Sequence, residues 1–225
     1  AMNFAPTQQK RNGCPSHLCY NNSMDYQNIH TVVQVLRERL EPVERADLLI
    51  DALEGQRPTA RKAAVLICLF DQNAESRLVF IRRATTLRSH SGEIAFPGGS
   101  VDHQDASFAM TALREAQEEI GLDPARVELL GIMPPVFTVV SNFLITPVVA
   151  YLPRGPGELR LQPSEVDELL IFPLEGLANP AIYHTEEWTR GGVARTVYFF
   201  DYGSNRIWGA TARMLNALLD VLRRS

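Results

Sequence analysis

The sequence predicts an α/β domain in which a mixed β-sheet is flanked by helices. Three observations predict it. Segments with apolar residues at helical spacing stand near the beginning, in the middle and at the end of the chain. Between them lie short apolar runs of strand length, and Pro- and Gly-containing turns separate those runs. Strands interspersed with helices in this order fit a sheet covered by helices.

The elements follow in order. Residues 1 to about 24 are rich in Asn, Gln, Ser, Pro and Gly and read as a mobile lead-in. "IHTVVQVLRERLEP" from Ile29 has the spacing of an amphipathic helix, and "RADLLIDALEGQRP" adds a second short helical stretch that Gly55 and Pro58 end. "KAAVLICLF" and "SRLVFIRR" are two strands joined by the polar turn "DQNAES", a hairpin. The central helix comes next: Phe108, Ala112, Ala116 and Ile120 form a buried stripe, Asp105 or Ser107 caps its start, and Gly121 stops it. "VELLGIM", "FLITPVVAYLP", "VDELLIFPL" and "ARTVYFFD" are four further strand candidates, and "GATARMLNALLDVLRR" closes the chain as an amphipathic helix with basic residues at its C-terminal end. Residues 1–55 are thus expected to be a partly helical N-terminal extension, and 56–225 a single domain that includes the last helix.

Composition excludes several classes of function. A formal net charge of −4 over 225 residues gives no general attraction for nucleic acid or anionic membrane, so a phosphate-bearing partner must be held by a few placed cations or a metal. No run approaches the length of a membrane span, and the polar start lacks the apolar core of a secretory signal, so a cytoplasmic location is expected. Three cysteines argue against a disulfide framework. Cys68 lies inside an apolar run and reads as a buried thiol, while Cys14 and Cys19, with His17 between them, have no second pair to complete a zinc site.

The chemistry concentrates in two stretches, "RSHSGEIAFPGGS" (88–100) and "REAQEEIGL" (114–122). On a helix, Glu115, Glu118 and Glu119 fall within an arc of roughly 100°, and Arg114 lies about 40° from Glu118 on the same side. Like charges so spaced destabilise a helix by a few tenths of a kcal/mol per pair, roughly. A divalent cation neutralises them, and hard oxygen ligands suit Mg²⁺ or Mn²⁺, which complete their shell with water and phosphate oxygens. The alternative is a solvated acidic face with Arg114 as a surface pair. Gly98 and Gly99 allow a backbone turn beside the helix start through which amide N–H groups can approach phosphate. Arg88 and His90 can grip phosphate groups next to that turn, or be an exposed arginine and a structural histidine. Of Arg82 and Arg83, at most one faces the site, because side chains alternate along a strand; Arg82 is the expected one. Asp102 and Asp105 can be acids that support the site from behind or turn and cap residues, and the latter is expected.

Residues 99–122 resemble the Nudix box, whose pattern is Gly, five residues, Glu, seven residues, then Arg-Glu-apolar-x-Glu-Glu-x-Gly-apolar. The second half matches throughout. In the first half the spacing from Gly99 to Arg114 is one residue longer, and the early Glu is replaced by Asp105 or, counting back from the arginine, by Ala106. "RRATTLRSHSGEIAFPGG" (82–99) is similar to the signature that precedes the box in the coenzyme A pyrophosphatase branch, where the lengthened spacing also occurs. The likeness extends through "TPVVAYL", "EVDELLIFPL" and "RIWGATARML", covering about residues 60 to 220.

The resemblance implies a Nudix α/β/α sandwich with a mixed sheet and a loop-helix-loop box, and hydrolysis of a nucleoside diphosphate linked to another group. It implies Glu115, Glu118 and Glu119 as ligands of Mg²⁺ or Mn²⁺, Arg114 as the residue that orients them, and Glu165 as an additional carboxylate from a later loop. Arg82, Arg88, His90, Gly98 and Gly99 would meet the substrate. The implied substrate is coenzyme A or an acyl-CoA. A nucleoside triphosphate, dinucleotide or sugar nucleotide is the alternative, and a nucleotide-sensing module without turnover a third reading. The partner is then a small-molecule nucleotide, with no nucleic acid and no membrane, and assembly as a homodimer is allowed.

Overall fold

The computed structural model describes residues 24–224 except 56, 58, 88 and 191. The predicted lead-in, Cys14, His17, Cys19 and Arg88 lie outside the described residues. The chain runs α1 (Ile29–Arg39), α2 (Ala46–Glu54), β1 (Arg61–Gln72), β2 (Glu75–Arg83), β3 (Ile94–Ala95), β4 (Gly98–Ser100), α3 (Phe108–Ile120), β5 (Glu128–Ile132), β6 (Val136–Thr138), β7 (Phe143–Tyr151), β8 (Val166–Pro173), α4 (Leu174–Ala178), β9 (Tyr183–Arg190), β10 (Val193–Tyr202), β11 (Asn205–Trp208) and α5 (Gly209–Arg223).

β1 organises the molecule. Its uninterrupted apolar run has no polar face to show water, so both faces must be covered. Val65, Ile67 and Leu69 point to one side, where they pack with Val32 and Leu36 of α1 and Leu215 and Leu218 of α5. Ala64, Leu66, Cys68 and Phe70 point to the other, against Ile50 of α2 and the Phe108, Ala112, Ala116 and Ile120 stripe of α3. The result is an α/β/α sandwich. The N-terminal helix α1 is built into the first of these layers through Ile29, Val32, Val33 and Leu36. Burial pushes the Cys68 thiol up to about 12, so it stays protonated and inert at neutral pH.

The main sheet is mixed. β1 runs parallel to β7, with Ala63 opposite Ile145 and Ile67 opposite Val149, and antiparallel to β2 and β4. β2 continues to β3 and β8, and β7 to β5 and β6. The sequence reading takes all the strands into one sheet; the structure instead sets β9, β10 and β11 apart as a three-stranded antiparallel sheet. β9, "YHTEEWTR", is too polar to stand out as a strand. Its alternation makes sense only once paired: Tyr183 meets Tyr198 and Phe200 toward the core, while His184 stacks on Phe199 on the opposite face. β11 and the short β3, β4 and β6 likewise carry too few apolar residues to be seen alone. No helix among the described residues is long and apolar enough to cross a membrane.

The β1–β2 hairpin closes on the two-residue turn Asn73–Ala74, both at positive φ (58° and 60°). This is the primed turn that matches strand twist, and its second position strongly favours glycine. Ala74→Gly should therefore raise stability by roughly 1 kcal/mol, seen as a rise of about 2–4 °C in thermal unfolding. An unchanged or lower Tm would show that the turn is unstrained.

Candidate active site

The site is built where α3 crosses β4. Ser107 Oγ accepts from the Met110 N–H (3.2 Å), fixing the first turn of α3. Gly121, at φ 68°, ends it, with its N–H donating to the Gln117 carbonyl (2.9 Å). Of the two cap candidates Ser107 therefore caps, and Asp105 is left for another task. The last carbonyls of α3 are taken by the following loop: Arg160 and Gln162 donate their N–H groups to Ile120 and Glu119 (both 2.9 Å). These bonds satisfy orphan acceptors at the helix end and bring the Glu165 segment alongside α3.

Two glycines shape β4 at the crossing, Gly98 toward β1 and Gly99 toward α3. A Cβ at Gly98 would stand 2.4 Å from the Ala64 carbonyl oxygen, and one at Gly99 would stand 2.5 Å from the Glu115 carboxylate. Gly98 is closed to a side chain by backbone, whereas at Gly99 a side chain would displace the Glu115 carboxylate. With none there, the Gly98 N–H donates to Glu119 Oε2 (2.9 Å) and the Glu115 carboxylate lies against the backbone of Gly99.

Arg114 holds the helix in register. Its Nε and Nη2 form a two-pronged pair with Asp105 (3.0 and 2.9 Å), Nη2 also reaches the Ser100 carbonyl (3.1 Å), and Nη1 spans Glu115 (2.9 Å) and Glu118 (3.3 Å). Asp105 is thus the acidic residue of the lengthened box. The longer loop carries its carboxylate to the arginine, and Ala106 plays no part. The Arg114 hydrogen bonds hold the Asp105 carboxyl well below the usual carboxylate range, and those with Asp105 hold the guanidinium above its own. A turn or cap role, as expected from spacing, misses this tie; the signal for it was the arginine nine residues on.

Arg83, not Arg82, faces the glutamates. Odd-numbered Val79 and Ile81 point to the α3 side, and Arg83 continues them, with its Nη1 3.3 Å from Glu119 Oε1. Arg82 points the other way and is bound by Glu168 (2.8 Å) and Asn205 (2.7 Å). Both faces of β2 are apolar, so the sequence alone does not tell the two apart. His90, at φ 56°, is held in its loop by Glu93 (Nδ1 to Oε2, 2.9 Å), whose hydrogen bond raises the imidazole pKa. The structure therefore brings Arg114, Glu115, Glu118, Glu119, Gly98 and Gly99 together, adds Asp105 and Arg83, and leaves Arg82 outside. Glu165 lies near enough for its charge to act on both Glu115 and Glu119.

The three glutamates differ in environment. Glu118 is exposed, while the Glu119 side chain is only 1% accessible. Burial pushes the Glu119 carboxyl up to about 7; the Gly98 N–H and the Arg83 charge oppose this, and the charges of Glu115 and Glu165 add to it. Burial also raises Glu115, against the pull of Arg114. Among the described residues, no three Asp, Glu, His or Cys side chains are gathered closely enough to hold a metal ion as they stand. Arg114 and Arg83 occupy the carboxylates instead. The donor set nonetheless suits a hard divalent cation: only oxygens, on one helix face, one of them buried with too little counter-charge to ionise freely.

The NUDIX domain profile matches residues 60–190. The chain belongs to the Nudix hydrolase family. It is 39% identical over 158 residues to a Photorhabdus laumondii protein named as an uncharacterized Nudix hydrolase, NudL, covering 70% of this chain and 83% of that one. It is 37% identical over 178 residues to a Citrobacter koseri protein of the same name, covering 78% and 90%. A MutT/nudix family protein from Enterococcus faecalis superposes with a TM-score of 0.47 at 16% identity, over 71% of this chain and 61% of that one. Nudix hydrolases act on small-molecule nucleotides at phosphoric anhydride bonds and generally use divalent metals, which agrees with a glutamate-lined helix face above a glycine strand.

A carboxyl raised by burial favours the folded state while it is protonated. That contribution is complete below its ordinary value of 4.5 and is lost as pH rises through about 7. In metal-free protein, Glu119→Gln should therefore be more stable than wild type at pH 8, by an amount on the order of 1–3 kcal/mol. The gain should shrink toward zero at pH 5. Chemical denaturation at the two pH values measures it, and an equal effect at both contradicts the raised pKa.

Proposed function

We propose that this Nudix protein is a divalent-metal-dependent pyrophosphohydrolase that cleaves coenzyme A or an acyl-CoA to adenosine 3′,5′-bisphosphate and 4′-phosphopantetheine or its acyl form. The observation that carries the hydrolytic reading is the seating of Glu115 and Glu119 on the side-chain-free backbone of Gly98 and Gly99, with Arg114 locked by Asp105. Support for coenzyme A comes from the sequence of residues 82–99, which contains Arg88 and His90. A nucleoside triphosphate, dinucleotide or sugar nucleotide satisfies the same geometry, because the glutamate face reads phosphate and not the group attached to it. Intact glutamates weigh against a module that senses nucleotides without turnover.

Glu115, Glu118 and Glu119 would hold Mg²⁺ or Mn²⁺, with Glu165 as the further carboxylate. The bound cation supplies screening of the pyrophosphate charge and a water acidic enough to attack phosphorus. The protein's own contribution is placement. Asp105 fixes Arg114, Arg114 fixes the azimuth of α3, and the helix then presents its carboxylates at one distance from β4. Gly99 leaves room for the Glu115 carboxylate against the backbone, and the Gly98 N–H holds Glu119. Arg83 brings a positive charge to the buried end of the cluster. Water adds across the P–O–P bond, its oxygen going to one phosphorus and a proton ultimately to the departing phosphate.

Incubation with coenzyme A, acetyl-CoA, a nucleoside triphosphate, a dinucleoside polyphosphate and a sugar nucleotide, each with Mg²⁺ or Mn²⁺ and read by mass spectrometry, decides the substrate. Adenosine 3′,5′-bisphosphate should appear fastest from the coenzyme A compounds; its absence overturns that assignment. Glu119→Gln should lower kcat by at least about 10³-fold, in line with loss of a group that orders the reacting charge. Gly99→Ala, which forces the Glu115 carboxylate away, should cost at least about 10²-fold in kcat while the circular dichroism spectrum stays that of wild type. Full activity in either variant would place the chemistry elsewhere.

A further inference from the structure

A cavity of about 220 Å³ opens at the β6 edge of the main sheet, lined by Leu53, Arg57, Pro135, Phe137, Leu144, Arg195 and Arg213. Three arginines from three separate parts of the chain converge on it: one between α2 and β1, one on β10 and one on α5. Among the described residues no acidic one lines it. Among the described residues none of the three arginines forms an ion pair with a carboxylate; Arg57 instead lies over the Phe137 ring, 4.5 Å from its centroid. Elsewhere among the described residues Arg39 and Arg126 donate to backbone carbonyls and Arg61 lies over the Phe143 ring, so an arginine outside an ion pair is not rare in this chain; what marks the cavity is that three of them converge on one opening.

This concentration runs against both global and local electrostatics. The chain carries a net charge of −4. Arg213 stands just after the first turn of α5, and that helix has no acid in its first turn and no side-chain cap to offset the charge. Three guanidinium groups on one opening repel each other unless an anion sits between them. Arginine's planar fork of donors fits phosphate, and an apolar floor strengthens the attraction by excluding water.

The cavity is smaller than the ~300–1,000 Å³ typical of sites for whole small molecules, so it suits one end of a larger ligand. Its distance from the glycine strand sets how far the arginine side chains and that ligand must reach toward each other. Phe137 lies opposite Leu144 on β7, β7 pairs with β1, and β1 pairs with β4 at Gly99, so the floor is three strand spacings, roughly 14 Å, from the glycine strand. Leu53, Phe137 and Leu144 pack on the layer that contains α3, whereas Arg213 comes from α5 of the opposite layer, so the cavity opens at the edge of the sheet.

We propose that the Arg57–Arg195–Arg213 cavity is an anion subsite for the phosphate of a phosphorylated nucleoside, and that its occupant is the far end of the nucleotide substrate. Binding of the phosphate stands on the cavity alone; its assignment to the substrate rests on the hydrolase reading above. A free nucleotide acting as an effector has the same chemistry and is distinguished by kinetics.

The test uses the full chain and the double variant Arg195→Ala/Arg213→Ala, both exposed positions outside the glutamate site. Isothermal titration in metal-free buffer with adenosine 3′,5′-bisphosphate should show a Kd at least tenfold weaker in the variant, and adenosine itself should bind neither protein measurably better. A Kd within twofold of wild type, or no binding of the bisphosphate to wild type, overturns the subsite. In turnover of coenzyme A the variant should raise KM about tenfold at unchanged kcat, with dephospho-coenzyme A affected less than threefold. An unchanged KM, combined with a wild-type rate that responds to added bisphosphate while the variant's does not, overturns the substrate assignment in favour of an effector. If wild type cleaves neither compound the hydrolase reading falls, and the titration still decides the subsite.

Discussion

The closeness of α3 to β4 is the constraint on which the rest of this structure depends. A methyl group at Gly98 would overlap the backbone of β1, and one at Gly99 would push the Glu115 carboxylate of α3 aside, so the pairing of β4 and the seating of the helix on it use two consecutive positions without side chains. That approach lets a backbone amide reach Glu119 and removes the carboxylate from water at the same time. Burial, hydrogen bond and raised pKa are therefore consequences of one contact. Arg114 and Asp105 add orientation to proximity: a helix in contact with a strand is free to roll, and a two-pronged pair anchored on the preceding loop prevents it.

The sandwich serves the same contact from below. β1 is buried on both faces, and its far side is backed by α1 and α5, so the strand that aligns β4 cannot shift without disturbing two layers. Close-packed interiors resist such displacement. The loop that follows the box closes the arrangement from the other end, taking the free carbonyls of α3 and delivering Glu165 beside the same cluster.

Much of this was legible in the sequence because it rests on local pattern. The stripe on α3, its glycine stop, the hairpin and the shared face of the three glutamates all follow from spacing within a dozen residues, and they stand as expected. What escaped depends on partners remote in sequence. The parity of Arg82 and Arg83 is invisible when both faces of a strand are apolar, and it was settled by which helix covers which face. Asp105 looked like a cap until Ser107 took that role and the longer loop swung the carboxylate to Arg114. β9 shows its alternation only against β10. The arginine cavity draws on residues 57, 195 and 213, and no window of sequence spans them.

The order of strands in the sheet also governs how the chain can come together. β1 finds its parallel neighbour β7 some eighty positions later, and β2 finds β8 about ninety positions later, so the centre of the sheet cannot close from neighbouring segments. Such distant pairings make folding slow, because the entropy of large loops is lost before any contact is gained. During synthesis, the apolar outer edge of β1 lacks its long partner until residue 151 has been made, and that of β2 until residue 173. The same strand that makes the finished site rigid is thus the segment most exposed to aggregation while the protein is being born.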